Sequence, residues 1–372
     1  MLKKIKIFAL CAATLSLPLF FSCTSSNDSI RTDKSELLNS RIQMAVILPL
    51  SGKNAEAAAD VLSGLKIGVE TVNNSGGING KQVELSILDS SNPEFAFVET
   101  FNSLYDRGIR HFHIGFTQET ALKFDFMKEK EDCFFNFLCA YPPAVVSMKG
   151  NAVRIFLNGA QEADLMASKV DRSDGRVKHL IAMSVDDFYG KSCGDYLAFN
   201  LKLEKTKYYS DVFGQNEKDF GVFSLQISRL LGEYVFYTGY GKELPAFIKS
   251  LGDSKQTCTV IASCGFYLDN VIVPRGINFY RIETLFQQGK ISNPEHSRFV
   301  NASKKYNLAP TWMSACGYDS AIYTARAAAE AGLNPKAMAS WFKNKKLDGA
   351  MGTMIFDSAA DSTSQIELIQ KF

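Results

Sequence analysis

Apolar and polar positions along the chain follow a repeated strand-then-helix order. Met44–Leu50 is an apolar run, and from Ala58 to Val72 the apolar side chains recur at the three- and four-residue spacing of a helix. Gly76 and Gly77 end this helix, because glycine readily takes the left-handed conformation of a C-terminal cap. A second apolar strand follows at Val83–Leu88. The pattern therefore predicts a strand–helix–strand unit.

The same order continues along the chain and restarts near its middle. Further strands are predicted at His111–Ile114, Phe134–Leu138, Val153–Leu157, His179–Val185, Tyr208–Phe213, Tyr234–Tyr237, Cys258–Ala262 and Gly352–Phe356. Helices are predicted at Pro93–Asp106, Gln118–Lys130, Gln161–Val170, Lys191–Leu203, Phe220–Leu230, Lys242–Leu251 and Tyr318–Ala331. Alternation of this kind predicts an α/β fold with mostly parallel sheets covered on both faces. A body of about 330 residues exceeds what one core usually supports, so we expect two doubly wound lobes.

The first 40 residues differ from this body. Three lysines (Lys3, Lys4 and Lys6) precede an apolar run that ends at Phe21 and is too short to span a bilayer comfortably, which predicts a signal peptide over residues 1–22. Residues 23–40 are polar and predict a flexible tether. The end of the apolar run resembles the lipobox of bacterial lipoproteins, with Phe20 in place of the usual Leu. We expect lipid on Cys23 and an extracytoplasmic, membrane-anchored protein; the alternative is a plain secretory signal.

Composition narrows the classes of partner. The chain has 41 basic and 39 acidic residues and a formal net charge of +2, so no basic excess indicates nucleic-acid binding. Of 8 cysteines, 6 lie beyond Cys23, which permits up to three disulfides or, alternatively, small buried core residues. Their spacing does not match a zinc ribbon.

A group of short motifs carries a family resemblance. Ser75–Lys81 reads SGGINGK and is followed by Val83-Glu84-Leu85 and Asp89. Other pieces occur in the same order as in the family: Pro49-Leu50-Ser51-Gly52, Asp187-Phe188-Tyr189-Gly190-Lys191, Asp219-Phe220, Gly239-Tyr240, Tyr318-Asp319 and Phe356-Asp357. Together they resemble the leucine/isoleucine/valine-binding protein family, which has the type I periplasmic binding fold. The resemblance extends from about Ile42 to the C-terminus.

The resemblance implies two lobes joined by three crossovers, which close around a small ligand and deliver it to an ABC permease. The crossovers are expected near residues 154–158, 271–278 and 352–357. Lobe 1 would comprise residues 41–156 plus 277–352, and lobe 2 residues 157–276 plus 353–372. We expect a monomer. A ligand-sensing receptor of the same fold, which signals to a protein partner, is the alternative.

The loops after the strands supply the candidate ligand site, because open α/β sheets bind ligands at the carboxyl ends of their strands. Ser51 follows the first strand and opens a helix, where hydroxyl and backbone donors suit an anionic group. By resemblance, the loop with Thr117 and Gln118 would hold a ligand carboxylate, and Tyr189 and Tyr240 would close over the ligand from lobe 2. The remaining candidates follow two other strands: Leu138, Cys139, Ala140, Tyr141 and Ser263.

One departure from the family concerns charge. Amino-acid-binding relatives commonly place an acidic residue after the strand that matches Thr259–Ala262, yet this loop reads Ser263-Cys264-Gly265-Phe266. A buried ammonium without a partner costs several kcal/mol, on the order given for unpaired buried charges. Asp269, Glu243, Asp186 and Asp187 are the possible substitutes. The ligand is therefore left open among a branched-chain amino acid, an amide and a carboxylate.

Other chemistry finds little support in the sequence. His111 and His113 share one face of a strand, but no nearby Cys or acidic cluster completes a metal site. Hydrolase, metalloprotease and phosphate-loop motifs are missing from the sequence, and Gly239-Tyr240-Gly241 lacks the third glycine of a dinucleotide fingerprint. We therefore expect no enzyme activity, no cofactor and no metal.

Overall fold

The computed structural model describes residues 41–116, 124–138, 148–156, 159–171, 173, 176, 178–201, 206–265, 267 and 270–372. The described strands are β1 (Arg41–Leu48), β2 (Gln82–Asp89), β3 (His111–Gly115), β4 (Phe134–Leu138), β5 (Ala152–Ile155), β6 (Lys178–Val185), β7 (Thr206–Phe213), β8 (Tyr234–Thr238), β9 (Cys258–Ala262), β10 (Ile277–Thr284), β11 (Lys346–Gly349), β12 (Gly352–Phe356), β13 (Ser362–Thr363) and β14 (Ile366–Lys371). The described helices are α1 (Ala55–Asn74), α2 (Phe97–Asp106), α3 (Phe124–Lys128), α4 (Gly159–Ser168), α5 (Phe188–Asn200), α6 (Gly221–Arg229), α7 (Leu244–Asp253), α8 (Pro294–Lys305), α9 (Trp312–Ala331) and α10 (Pro335–Phe342).

Two parallel sheets form the centres of two lobes. The sheet of lobe 1 has the order β2-β1-β3-β4-β5 and is parallel throughout. The sheet of lobe 2 has the order β14-β10-β9-β8-β6-β7, in which only β14 is antiparallel to its neighbour. A small antiparallel sheet, β11-β12-β13, completes the set. The predicted α/β fold with two doubly wound lobes is confirmed.

Strands β3, β4 and β5 are buried because helices cover both faces of their sheet. Every residue of β3, β4 and β5 is buried, as parallel sheets with helices on both faces require. On lobe 1, α1 and α9 pack unusually closely. A Cβ atom on Gly64 would lie 1.7 Å from the Ser314 carbonyl oxygen, and one on Gly317 would lie 2.0 Å from the Val61 carbonyl oxygen. Glycine is therefore required at this helix crossing.

Two of the three passages between the lobes lie at places that differ from those expected. The first passage, after β5, agrees with the expected crossover near 154–158. The second was predicted near 271–278, with 277 onward in lobe 1, and this is wrong. Strand β10 pairs in parallel with β9, so residues 277–284 belong to the sheet of lobe 2. The third passage follows β13: β12 pairs with β11 in the small sheet, and only β14 joins lobe 2.

Several strands and helices match the sequence prediction closely. Strands at Phe134–Leu138, Cys258–Ala262 and Gly352–Phe356 have the predicted bounds. The elements that the sequence did not predict are β10, α8, α10, β11, β13 and β14. The predicted signal peptide, the tether and Cys23 lie outside the described residues. Among the helices that are described, none combines the length and the apolar character needed to cross a bilayer.

The described cysteines are small buried core residues, which is the second of the two predicted roles. The five cysteines in the described ranges are unpaired and buried: Cys133, Cys193, Cys258, Cys264 and Cys316. Burial raises the pKa of the thiols of Cys133, Cys193 and Cys258 to about 12, so these thiols stay protonated. They are small core residues.

Candidate functional site

A cavity of about 440 Å³ lies between the two lobes at the carboxyl ends of their strands. From lobe 1 it is lined by Ile47, Pro49, Lys53, Asn54, Ser90, Ser91, Phe97, Gly115 and Phe116. From lobe 2 it is lined by Asp186, Asp187, Gly214 and Gln215. The strand ends meet here as expected for a binding cleft in open α/β sheets. We call this cavity the cleft.

The lobe 1 wall of the cleft is held by Asp89, the last residue of β2. Its Oδ1 accepts hydrogen bonds from the backbone N–H groups of Leu50 (2.8 Å), Ser51 (3.2 Å) and Ser91 (2.9 Å). Burial raises the pKa of Asp89, but these bonds and one from the Ser51 side chain more than offset the rise, so the net pKa lies below its ordinary value. Ser51, a predicted ligand residue, lies between the lining residues Pro49 and Lys53 but does not itself line the cleft, and its backbone N–H is bonded to Asp89. Asp89 thus joins the loop after β1 to the loop after β2, next to Lys53.

On the lobe 2 wall, Asp187 is backed by two buried tyrosines. Asp187 caps α5 by accepting a hydrogen bond from the backbone N–H of Gly190 (3.0 Å), and its other oxygen accepts one from the Tyr240 hydroxyl (2.6 Å). Burial raises the pKa of Asp187, although these bonds oppose the rise. The rings of Tyr189 and Tyr240 lie 5.6 Å apart. The structure therefore brings the two predicted tyrosines together, but both are buried behind Asp187 and neither lines the described cleft.

Glu162 is a buried acid that the sequence analysis missed. It lies in the first turn of α4 and is fully buried. Its carboxylate accepts hydrogen bonds from the backbone N–H of Cys264 (2.7 Å) and from the Tyr189 hydroxyl (3.3 Å). Burial raises its pKa from 4.5 to about 7, and the two hydrogen bonds moderate the rise. The signal was present in the sequence, because Glu162 shares a helical row with the apolar residues Met166 and Val170.

The loop after β9 is where the acidic residue of the relatives was expected and not found. Ser263 is buried. Its hydroxyl accepts a hydrogen bond from the Gly239 backbone N–H and donates one to the Gly239 carbonyl oxygen, both at 3.3 Å. The next residue, Cys264, donates its backbone N–H to Glu162. A carboxylate thus reaches this loop from α4 instead of from the loop itself. Glu243, another predicted substitute, instead accepts a hydrogen bond from the Asn216 backbone N–H (2.7 Å).

The remaining predicted ligand residues divide into two groups. Leu138 ends β4, is fully buried, and accepts a hydrogen bond at its carbonyl oxygen from the backbone N–H of Phe116 (3.2 Å). The others lie outside the described residues: Thr117, Gln118, Cys139, Ala140 and Tyr141. Asp269 also lies outside them.

Two polar contacts join the lobes beside the cleft. The Gln215 side-chain amide donates to the Asn54 side-chain oxygen (2.9 Å), and the Lys242 ammonium pairs with the Glu56 carboxylate (2.9 Å). Lys242 also lies 4.0 Å from the centre of the Tyr267 ring. An exposed ion pair such as Lys242–Glu56 contributes about 0–1 kcal/mol. Such contacts join the lobes weakly.

The histidine pair that was weighed as a metal site lies away from the cleft. Both side chains are buried, and His113 Nδ1 lies 3.0 Å from the Ser320 hydroxyl on α9. Burial lowers the pKa of His111 to about 4 and that of His113 to about 3, so both rings are neutral at pH 7. Within the part of the chain that the structure describes, no group of three metal-binding side chains occurs.

Comparison with known proteins identifies the family. The family model for periplasmic binding proteins matches residues 41–366. A Leu/Ile/Val-binding protein homolog from Brucella melitensis is 25% identical over 334 residues, which cover 87% of this chain and 89% of the relative.

Solved structures share the fold. The branched-chain amino acid transporter substrate-binding protein LivJ from Streptococcus pneumoniae, in complex with isoleucine, matches with a TM-score of 0.69 and 17% identity over 89% of this chain and 96% of that one. A solute-binding protein of an ABC transporter from Rhodopseudomonas palustris, in complex with 3,4-dihydroxybenzoic acid, matches with a TM-score of 0.71 and 14% identity over 89% and 93%. With its two parallel-sheet lobes, the cleft between them and a family model that spans most of its length, this chain belongs to the periplasmic binding protein family.

Proposed function

We propose that the chain is an extracytoplasmic substrate-binding lipoprotein, which holds a branched-chain amino acid in the cleft and delivers it to an ABC permease. The observation that carries this proposal is the charge of the two cleft walls. Lobe 1 contributes the ammonium of Lys53, and lobe 2 contributes the carboxylates of Asp186 and Asp187. A zwitterion fits between walls of opposite charge.

The lobe 1 wall suits a ligand carboxylate. Lys53, Asn54, Ser90 and Ser91 offer ammonium, amide and hydroxyl donors. Hydrogen bonds to a charged acceptor are roughly twice as strong as those between neutral groups. We assign this wall to the carboxylate end of the ligand.

The lobe 2 wall suits a ligand ammonium. Asp186 is exposed at the cleft and comes directly after β6, while Asp187 is half-buried and held by Tyr240. The sequence had left Asp186 and Asp187 among the substitutes for the acid that is missing after β9. The apolar residues Ile47, Phe97 and Phe116 line the same cleft and suit an aliphatic side chain.

The relatives support the same class of ligand and also define the main alternative. The Brucella melitensis relative is named for leucine, isoleucine and valine, and the Streptococcus pneumoniae structure holds isoleucine. The Rhodopseudomonas palustris structure holds an aromatic carboxylate without an amine. A ligand that lacks the ammonium group is therefore the alternative to test.

Closure of the lobes accompanies binding in this proposal. The contacts of Gln215 with Asn54 and of Lys242 with Glu56, which join the lobes, are polar and lie at the rim of the cleft. Their small individual contributions suit a hinge that opens and closes with the ligand.

A thermal-shift assay with matched ligands tests the choice of ligand. Leucine, 4-methylpentanoate and 3-methylbutylamine carry the same alkyl group with both charges, only the negative charge or only the positive charge. A ligand at 100 times its Kd adds about 2.7 kcal/mol to the free energy of unfolding, so a measurable rise in Tm is expected with leucine and a much smaller one with either analogue. Equal stabilisation by 4-methylpentanoate would contradict the role of Asp186 and Asp187.

Substitutions in the cleft walls test whether leucine binds in the cleft. Lys53→Gln and Asp186→Asn should each reduce the shift with leucine, and Asp253→Asn, which removes an exposed charge on α7, is the control. Equal shifts in all three variants would mean that the ligand binds elsewhere.

The lipid anchor is tested separately from ligand binding. We propose that Cys23 carries the lipid and that residues 23–40 form the tether. Replacing Cys23 with Ser should move the protein from the membrane fraction to the soluble fraction after export. Continued association of the Cys23→Ser variant with membranes would overturn this part of the proposal.

A further inference from the structure

The edge of the lobe 2 sheet at β7 is an open strand. Among the described strands β7 has a single neighbour, β6, with which it pairs in parallel from Thr206 to Phe213. An open strand presents unpaired backbone N–H and C=O groups, which form a template for a further strand. With eight residues, β7 is long enough to pair along its length.

The direction of the backbone groups along β7 follows from one hydrogen bond. The carbonyl oxygen of Phe213 accepts a hydrogen bond from the Asp186 backbone N–H (2.8 Å), so the backbone groups of Phe213 face β6. Because these groups alternate along a strand, those of Tyr208, Ser210 and Val212 face outward. The Val212 N–H accordingly bonds to its own neighbour, the Asp211 carboxylate, at 2.8 Å.

Apolar side chains are exposed around this open strand. Tyr209 is 37% and Val212 49% exposed on β7, and on the adjoining helix α5 Phe188 is 37% and Phe199 81% exposed. A cavity of about 520 Å³ lies between α5 and β7, and Tyr208 contributes to its lining. Exposed apolar residues grouped beside an open strand indicate an interaction surface.

Two other edge strands, β14 and β2, carry ion pairs in comparison. At the edge strand β14, Glu367 pairs with Lys290 and Lys371 pairs with Glu283. At the edge strand β2 of lobe 1, Glu84 pairs with Arg41. On β7, by contrast, Lys207 and Asp211 form no ion pair with any residue in the described part of the chain. Their charges are available to a partner.

The charges of β7 are complementary to β7 itself. Lys207 and Asp211 lie two residues on either side of Tyr209, on the same face of the strand. If two copies pair antiparallel about a two-fold axis at Tyr209, each Lys207 lies opposite the Asp211 of the other copy. In this register Tyr208 also lies opposite Ser210, and their outward-facing backbone groups form the hydrogen-bonded pair that an antiparallel ladder requires.

We propose that β7 is the interface for a second copy of this chain, joined through an antiparallel β7–β7 pair in the register centred on Tyr209. The two lobe 2 sheets then form one continuous sheet, and the α5 helices with Phe188 and Phe199 lie on the same face of it, on either side of the two-fold axis. This proposal replaces the monomer expected from the sequence. It does not depend on the identity of the ligand.

Sedimentation equilibrium of the purified chain, over two orders of magnitude in concentration, tests the proposal. The wild type should be a reversible dimer. Lys207→Asp and Asp211→Lys each place two pairs of like charges opposite one another, and each should weaken association about tenfold, since opposed charge pairs contribute roughly 0.2–1 kcal/mol apiece. The double variant Lys207→Asp/Asp211→Lys restores opposite charges and should recover the wild-type association.

Two further variants separate the strand interface from general effects. Ser210→Pro removes an outward-facing N–H without touching the bonds to β6, so it should abolish the dimer and leave the circular dichroism spectrum unchanged. Lys249→Asp changes an exposed charge on α7 and should leave association unaltered. A wild-type chain that stays monomeric over the whole range, or a double variant that associates no better than the single ones, would overturn the proposal.

Discussion

Glu162 shows how a single buried acid links three segments of lobe 2. It lies on α4, holds the loop after β9 through the Cys264 backbone N–H, and contacts the Tyr189 hydroxyl at the start of α5. Periodicity predicted a helix over Gln161–Val170 but no role for Glu162, and the family pattern directed attention to the loop after β9. Which acid reaches that loop depends on packing between elements distant in sequence, and a single sequence does not contain that information.

Glu162→Gln tests the cost of this buried charge. The folded-state pKa is raised from 4.5 to about 7, so the stability present below pH 4.5 is lost as the pH rises through 7. Gln keeps an acceptor for Cys264, and the variant should gain up to about 3 kcal/mol relative to wild type at pH 8 and little at pH 4.5. Urea unfolding of both proteins at several pH values measures this difference. A difference that does not change with pH would show that Glu162 is ionised without cost.

Arg154 and Asp361 form a buried ion pair that ties β5 to the segment before β13. The guanidinium Nε donates to Asp361 Oδ1 at 2.6 Å, and a second bond joins Nη2 to Oδ2. Both side chains are less than 10% exposed. Asp361→Asn should reduce the free energy of unfolding by about 3–5 kcal/mol, because it removes the charged partner of a buried guanidinium.

An exposed pair provides the control for that measurement. Lys249 and Asp253 pair on the surface of α7 at i and i+4. Asp253→Asn should change the free energy of unfolding by about 0.3–0.5 kcal/mol or less. Similar losses of unfolding free energy in Asp361→Asn and Asp253→Asn would mean that the buried pair stabilises the protein no more than the exposed pair does.

At the scale of whole helices, the contact between α1 and α9 determines how lobe 1 packs. Gly64→Ala would place a Cβ atom 1.7 Å from a backbone carbonyl oxygen, which neither helix accommodates without moving. Overpacking of this kind costs about 1–3 kcal/mol, and it should exceed the gain of about 1 kcal/mol in helix propensity. A fall in Tm is expected for Gly64→Ala.

Gly194 on α5 is the matched helical control. A Cβ atom there would lie 3.7 Å from the Ser184 hydroxyl, which is an ordinary contact. Gly194→Ala should therefore keep the gain of about 1 kcal/mol that alanine brings to a helix. If both variants were equally destabilised, close packing at Gly64 would not be the cause.

Comparison of the helices and strands with their predicted bounds shows which elements can be predicted from the sequence. Mostly apolar segments such as Phe134–Leu138 and Cys258–Ala262 were predicted with correct bounds, since burial on both faces leaves a nearly continuous apolar run. Strand β14 has exposed or half-buried positions throughout, and α8 is mostly polar, so periodicity gave a weak signal for both. The pairing of β10 with β9 decides its lobe, and pairing is not visible in either strand alone.

The candidate site was predicted in part for the same reason. The loops after β1, β6 and β8 were found from strand ends and motifs, and the structure brings Tyr189 and Tyr240 together. Their burial behind Asp187 was not expected, because it follows from the way α5 packs on the sheet.

For the whole molecule, the first and third passages between the lobes lie against one another. The Ser362 hydroxyl contacts both the N–H (3.0 Å) and the carbonyl oxygen (2.8 Å) of Phe156, and the Gln161 amide donates to the Ser364 carbonyl oxygen (2.7 Å). The first and third passages are thus hydrogen-bonded side by side. A compact set of connections of this kind suits a hinge about which the lobes move as units.

Titration calorimetry of leucine, isoleucine and valine into the purified chain, with Asp186→Asn alongside, tests the central claim most directly. The account predicts saturable binding of one ligand per chain. It also predicts an affinity at least about tenfold lower in Asp186→Asn, since a hydrogen bond to a charged group contributes about 1.5–3 kcal/mol. The absence of saturable binding with all three amino acids, or binding that Asp186→Asn leaves unchanged, would contradict a cleft that holds a zwitterion between walls of opposite charge.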